Sequence, residues 1–292
     1  MLPHNAVLSS TRASAVSPLV LTTIAMLAFA ANSILCRQAL GTDAIDPFSF
    51  TTIRIGAGAL SLSFFSLRRD RGADAQDWKR AGYLVLYALP FSVAYVALDT
   101  GTGALLLFGA VQITMIALGI RAGERPQPIE WLGLVGAAGG LLYLVFPGVT
   151  APDPVHAGLM VAAGVGWGLY SIAGKGSGAP TAATAAAFRR AALAALPAMA
   201  VGVPWLSVSW QGALYAAVSG GITSGLGYAV WYLALRDLSA TRAALVQLSV
   251  PVLAASGGVV LLSESVTLRL VVASVVILGS IAAGVAGRRQ QS

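Results

Sequence analysis

Three side-chain amides, Asn32, Gln112 and Gln247, lie in the middle of long apolar runs. Each amide offers donors and acceptors together, which suits a zwitterion or another small polar solute. In hydrocarbon such a group is costly unless partnered, so all three should face the inside of a bundle. They can equally bond helix to helix and touch no solute. A second group is aromatic. Tyr83, Tyr87, Phe91 and Tyr95 recur every four residues, a spacing that lines them along one helical face. Trp167, Tyr170 and Tyr228 lie in two later apolar runs. Tyr and Trp combine a large apolar body with a polar tip, so a cavity lined by them would take an aromatic or apolar solute. The expected binding set is Asn32, Tyr87, Phe91, Tyr95, Gln112, Trp167, Tyr170, Tyr228 and Gln247. Tyr83, Trp231 and Tyr232 fall near run ends, where aromatic belts form at a membrane surface, and Trp78, Trp131 and Trp210 are assigned to the belt.

Arg54 sits near the middle of one apolar run, and Arg189 and Arg190 sit in the first half of another. Such arginines can bind a carboxylate. They can also pair with helix carbonyls or snorkel to an interface, and this structural role is the one expected here. Arg37 and Lys175 end their runs and are read as interfacial.

Other chemistry is missing. There is no HExxH, no GxSxG and no phosphate-binding GxxxxGK[ST] sequence. Cys36 is the one cysteine, and His4 and His156 are the two histidines. We therefore expect no catalytic residue, no cofactor and no metal site. All eleven acids lie in connections or near run ends. A proton-coupled carrier usually keeps a titratable group within the membrane, so facilitated diffusion down the solute gradient is the expected driving mode.

The elements that must position these residues follow from composition. Of 292 residues, 57% are hydrophobic and 10% charged, with a mean hydropathy of +0.79. A soluble domain carries about 25% charged residues, so lipid is the solvent that this surface fits. Apolar runs near 18–40, 46–67, 79–98, 102–120, 129–146, 156–174, 181–203, 211–234, 240–261 and 267–286 predict ten transmembrane helices. The first run is too long for a signal-peptide core and is read as a retained helix. A net charge of +7 and a pI near 10.0 would suggest nucleic acid in a soluble protein. Here 13 of the 18 basic residues fall in connections on one side, if both termini share that side. The positive-inside rule makes that side the cytoplasm. The expectation is a multi-pass protein of the cell inner membrane, with no nucleic-acid partner.

The run order also repeats. FAANSILCRQ at Phe29–Gln38 resembles WGLYSIAGKG at Trp167–Gly176, and FTTIRIGAGAL in the second run resembles AAAFRRAALAAL in the seventh. GERP before the fifth run matches SESV before the tenth, setting Glu124 opposite Glu264. Five spans is an odd number, so the second copy must run upside down. Inverted repeats characterise secondary transporters, with the solute site near the midplane at the repeat interface. The units expected are 1–150 and 151–292.

Ten short helices in two five-helix repeats, with Arg54 and Arg189 in matching spans and Glu124 and Glu264 leading into the fifth and tenth, resemble the drug/metabolite transporter superfamily, EamA type. The resemblance covers nearly the whole chain and is greatest to bacterial exporters of amino acids, aromatic ones included, and related metabolites. It implies an all-α membrane fold around a central cavity, lined chiefly by spans 1, 3, 4, 6, 8 and 9, working by alternating access. The partners implied are a small-molecule solute and the lipid bilayer, with no obligate protein partner. A nucleotide-sugar carrier would need more basic residues in the cavity than Arg54, Arg189 and Arg190. A channel would need a charged ring, and an intramembrane enzyme would need a catalytic motif. Gly136 and Gly140, Gly164 and Gly168, and Gly221 and Gly225 have GxxxG spacing for close helix packing. Pro90, Pro197 and Pro251 are expected to kink spans 3, 7 and 9.

Overall fold

The computed structural model describes residues 17–66, 75–121, 128–146, 148, 151–174, 180–235 and 246–287. Ten helices occupy them. They are α1 (Pro18–Leu40), α2 (Pro47–Ser66), α3 (Ala75–Ala94), α4 (Thr100–Arg121), α5 (Pro128–Val145), α6 (Pro154–Gly174) and α7 (Pro180–Gly202), then α8 (210–234), α9 (Ser249–Leu262) and α10 (Leu268–Gly287). Five of them begin with proline at the first helical position, where its missing N–H has no intrahelical partner to lose. By length and composition four helices are long and apolar enough to cross a membrane, and three shorter helices are apolar. Leu60, Leu132, Val260, Leu268 and Val275 present large apolar side chains outward, as a lipid-facing surface requires.

Most contacts between the halves come in pairs that exchange helix n for helix n+5. α3 packs on α6 and α8 on α1; α4 packs on α6 and α9 on α1; α3 packs on α7 and α8 on α2. Three contacts are their own counterparts: α2 on α7, α4 on α9 and α5 on α10. This pattern belongs to two similar units related by a two-fold axis. Because each unit has five spans, that axis must lie in the membrane plane. Gly136 and Gly140 face Ser280 and Ile277 of α10, and Gly164 and Gly168 face Ala110 and Thr114 of α4. Close backbone approach at these small residues replaces a hydrophobic driving force that lipid cannot supply.

α8 is not uniform. Trp210–Val218 and Gly227–Ala234 are α-helical, but Ser219–Leu226 between them is a π-helix. Gly220, Gly221 and Gly225 within the segment weaken α-helix preference. A methyl group on Gly220 would overlap the Arg54 carbonyl oxygen of α2, so only glycine lets the two backbones meet there. Pro251 is the third residue of α9 rather than an interior one, and the helix is interrupted at Leu248. The missing N–H and the ring explain that break, which replaces the expected mid-span kink. Pro90 and Pro197 do lie inside α3 and α7.

On the face that carries the 41–46, 95–99, 203–209 and 263–267 connections, carboxylates tie helix ends. Asp46 caps α2 through the Phe48 and Ser49 N–H groups, at 3.0 and 2.9 Å, and also accepts from the Ser207 N–H. Glu264 follows the left-handed residue Ser263 (φ 56°) and reaches across to the start of α4. It accepts from the Thr100 N–H at 2.9 Å and the Thr100 hydroxyl at 3.0 Å, and pairs with Arg37 at 3.4 Å. Arg37 also stands 3.6 Å from Asp99 and donates to the Tyr95 and Val96 carbonyls. Its interfacial reading thus becomes a junction of α1, α4 and the α9–α10 turn. Glu124, the residue matched to Glu264, and Lys175 lie outside the described residues.

Candidate functional site

A narrow cavity lies at the centre of the bundle, lined by Phe29, Asn32, Ser33, Tyr87, Phe91, Leu107, Phe108, Trp167 and Tyr228. It draws on α1, α3, α4, α6 and α8, so both halves contribute walls. Its free space admits about one water molecule, so a larger solute must part the rings. Tyr87 and Phe91 are four residues apart on α3 and share one face, while Phe29, Asn32 and Ser33 do the same on α1.

The rings form one connected cluster. Trp167 lies 4.6 Å from Tyr228, 5.2 Å from Tyr87 and 5.6 Å from Phe29, centroid to centroid. These spacings and their tilted or edge-on planes are favourable aromatic geometries. Tyr170 stacks on Trp167 at 5.6 Å and 30°, behind the cavity wall, and Tyr95 stands edge-on to Phe91 at 4.8 Å.

Behind the rings runs a polar network. The Asn32 carbonyl oxygen accepts from the hydroxyls of Ser219 at 2.7 Å and of Thr223 and Ser224 at 3.3 Å. Its amide nitrogen donates to the Tyr87 hydroxyl at 3.3 Å. The π-helical winding of α8 presents three hydroxyls from six residues to one acceptor, and π segments recur at functional sites for this kind of local re-aiming. Arg54 joins the same network. It is 2% exposed and donates to Ser224 at 3.0 Å, Tyr87 at 2.8 Å and Tyr228 at 3.2 Å. Its guanidinium carbon lies over the rings of Tyr87 and Phe91, at 5.1 and 4.9 Å. A charge at mid-membrane costs roughly 2.5–3.5 kcal/mol on insertion scales, and hydroxyl dipoles and ring faces offset part of that.

The partners expected of a structural Arg54, a helix carbonyl or the membrane surface, are not the ones it takes. It neither snorkels nor bonds a helix carbonyl, because α2 packs on α7 and α8 and delivers the side chain into the network. Arg190 does pair with a helix carbonyl, Ala186, and with Asp77 at 3.2 Å, while Arg189 is exposed. Of the expected set, Asn32, Tyr87, Phe91, Trp167 and Tyr228 come together at the cavity, with Tyr95 and Tyr170 packed against that group. Gln112 and Gln247 are buried but are not among the residues lining the cavity. Trp231 and Tyr232, expected at a belt, are instead buried at 1% and 5% exposure, with Trp231 5.8 Å from Phe29. Trp78, Trp131 and Trp210 are 51%, 47% and 72% exposed. Phe29, Ser33, Leu107, Phe108, Ser219, Thr223 and Ser224 were missing from the expected set. The spacing of Phe29 to Asn32 and of Ser224 to Tyr228 carried a usable signal for two of them.

Away from the cavity, Asp153 caps α6 through the His156 N–H at 2.9 Å. That bond first, and then the His156 ring, hold its carboxyl below the ordinary range. Among the described residues, no group of three or more His, Cys, Asp or Glu side chains is placed to hold a metal ion.

The chain is 51% identical over 267 residues to an uncharacterized protein of Pseudomonas aeruginosa, PA1977, covering 90% of this chain and 93% of that one. A solved structure titled "Crystal structure of protein" superposes with a TM-score of 0.65 at 21% identity, covering 94% of this chain and all of that one; this shows the same fold. The profile of the EamA-like transporter family matches twice, over residues 16–146 and 156–284, once in each half. With ten helices, exchange-related contacts and a cavity between the halves, the chain belongs to the EamA-like transporter family.

Proposed function

We propose that this transporter exports amino acids, aromatic and other apolar ones foremost, and related small metabolites by alternating access. The observation that carries the reading is the ring cluster of Phe29, Tyr87, Phe91, Trp167 and Tyr228 beside a hydroxyl and amide network. Rings supply apolar contact for a side chain, and the network supplies directed polar groups for a zwitterionic end. Residues 1–150 and 151–292 act as the units that rock against each other. The protein sits in the inner membrane with both termini in the cytoplasm, works as a monomer, and lets solute run down its own gradient.

Reconstituted protein tests this through uptake of labelled phenylalanine, tryptophan, threonine and a nucleotide sugar. Saturable uptake of the aromatic amino acids with counterflow is expected. Trp167→Ala should cut it roughly tenfold or more, since it removes several ring contacts at once. Uptake of threonine alone would sink the substrate assignment, linear flux without counterflow would indicate a channel, and a rate that tracks an imposed pH gradient would overturn facilitated diffusion.

A further inference from the structure

The donors left over at the site are informative. Arg54 spends Nε on Ser224 and Nη2 on Tyr87 and Tyr228, and its Nη1 is buried with no hydrogen-bond partner. The indole Nε1 of Trp167 is likewise buried without an acceptor. Both groups flank the ring of Tyr87: the guanidinium carbon is 5.1 Å from its centroid, and the Trp167 ring is 5.2 Å away. Neither group can accept a hydrogen bond. Among the described residues no carboxylate stands within 4 Å of Arg54, so its charge lacks an ionic partner. Buried donors without acceptors are rare in native structures and call for a partner. A group that only accepts and carries a negative charge would satisfy them together, and a carboxylate, with two acceptor oxygens, is such a group. A phosphate would also accept, but it is bulkier and needs more cations than one arginine beside five aromatic rings provides.

We propose that Arg54 is the carboxylate-binding residue of this transporter, with the Trp167 N–H as a second donor, so that its substrates are small carboxylates with an apolar body. The inference rests on the carrier reading above and narrows it: the α-carboxylate end of an amino acid turns toward α2, and the side chain lies among the rings. When solute parts the rings of Tyr87 and Phe91, the guanidinium they cover becomes the wall that the solute meets. The hydroxyls of Tyr87 and Tyr228 keep Arg54 in place by accepting from Nη2, which leaves Nη1 for the solute.

The test is calorimetric binding to purified protein in detergent. The probes are phenylalanine, leucine, N-acetylphenylalanine and 3-phenylpropionate, each beside its primary amide. Wild type should bind the acid at least about tenfold more tightly than the amide in the pairs it recognises, since a hydrogen bond to a charged group is lost. Arg54→Met should bring the ratio close to one, and Arg54→Lys should lower it several-fold, because an ammonium on a shorter reach cannot keep the Ser224, Tyr87 and Tyr228 contacts and also place a donor where Nη1 stands. If Arg54→Met does not fold, the wild-type ratio and Arg54→Lys decide. Equal affinity for acids and amides, or a ratio unmoved in a folded variant, overturns the assignment, because a purely structural arginine would alter stability and leave the ratio alone. Transport of phenylalanine and its amide alike removes the carboxylate site and leaves the carrier reading intact. Preferential binding of N-acetylphenylalanine and 3-phenylpropionate without phenylalanine or leucine keeps Arg54 and removes the amino-acid reading.

Discussion

Replacing Glu264 tests how the two halves are fastened on one face of the protein. Its carboxylate is 9% exposed and accepts from the Thr100 N–H and hydroxyl at 2.9 and 3.0 Å, so a residue of the second half caps a helix of the first. A side-chain cap contributes about 1 kcal/mol. A negative charge at a helix N-terminus adds about 0.3–1 kcal/mol. The Arg37 pair is 3.4 Å long with Arg37 21% exposed, and such a partly wet pair adds no more than about 1 kcal/mol. Glu264→Ala should therefore destabilise by about 1.3–3 kcal/mol. Glu264→Gln keeps an acceptor for Thr100 and loses the charge, so about 1 kcal/mol is expected. Reversible unfolding in mixed micelles with rising SDS gives these differences, and hydrogen exchange at the Thr100 amide shows whether the cap itself has opened. Alanine within about 0.5 kcal/mol of wild type would refute the cap as a fastening. Equal losses for alanine and glutamine would show that charge, rather than acceptor geometry, holds the face shut.

Two further outcomes follow from close geometry and from a cap. Gly220→Ala forces a methyl into the Arg54 carbonyl, and overpacking of backbone on backbone costs about 1–3 kcal/mol or more. Gly221→Ala, next in the chain, meets the Ala57 carbonyl oxygen at an ordinary 3.8 Å and should change stability by less than about 0.5 kcal/mol in the same assay. Similar losses at both positions would argue against the close α2–α8 contact. Asp153 has its pKa lowered by the His156 N–H, so its cap is fully present above the ordinary carboxylate range and is lost as pH falls through the depressed folded value. Protection of the first-turn amides of α6, corrected for the intrinsic pH dependence of exchange, should be high at neutral pH and fall in acid; no difference between wild type and Asp153→Ala at neutral pH would refute the cap.

Composition and run length determined a great deal. A chain with so few charges must hide its backbone polar groups from lipid within helices, and ten apolar runs with an internal echo predicted the ten-helix, repeated architecture. The α3 ladder of Tyr87, Phe91 and Tyr95 was legible because helical period alone puts those rings on one face. Tertiary structure decided which faces meet. Trp231 sits near a helix end, where position predicts a belt, yet packing of α8 on α1 buries it against Phe29. Gln112 and Gln247 carry the same side-chain amide at a mid-run position as Asn32, but it is Asn32 that lines the cavity and meets the hydroxyls of α8. Arg54 shows the limit most clearly. Its cost in lipid was readable from the sequence, but its partners come from residues 33, 170 and 174 positions away. No local period links such positions: a packed interface, a π-helical segment and a glycine that lets two backbones meet bring them together.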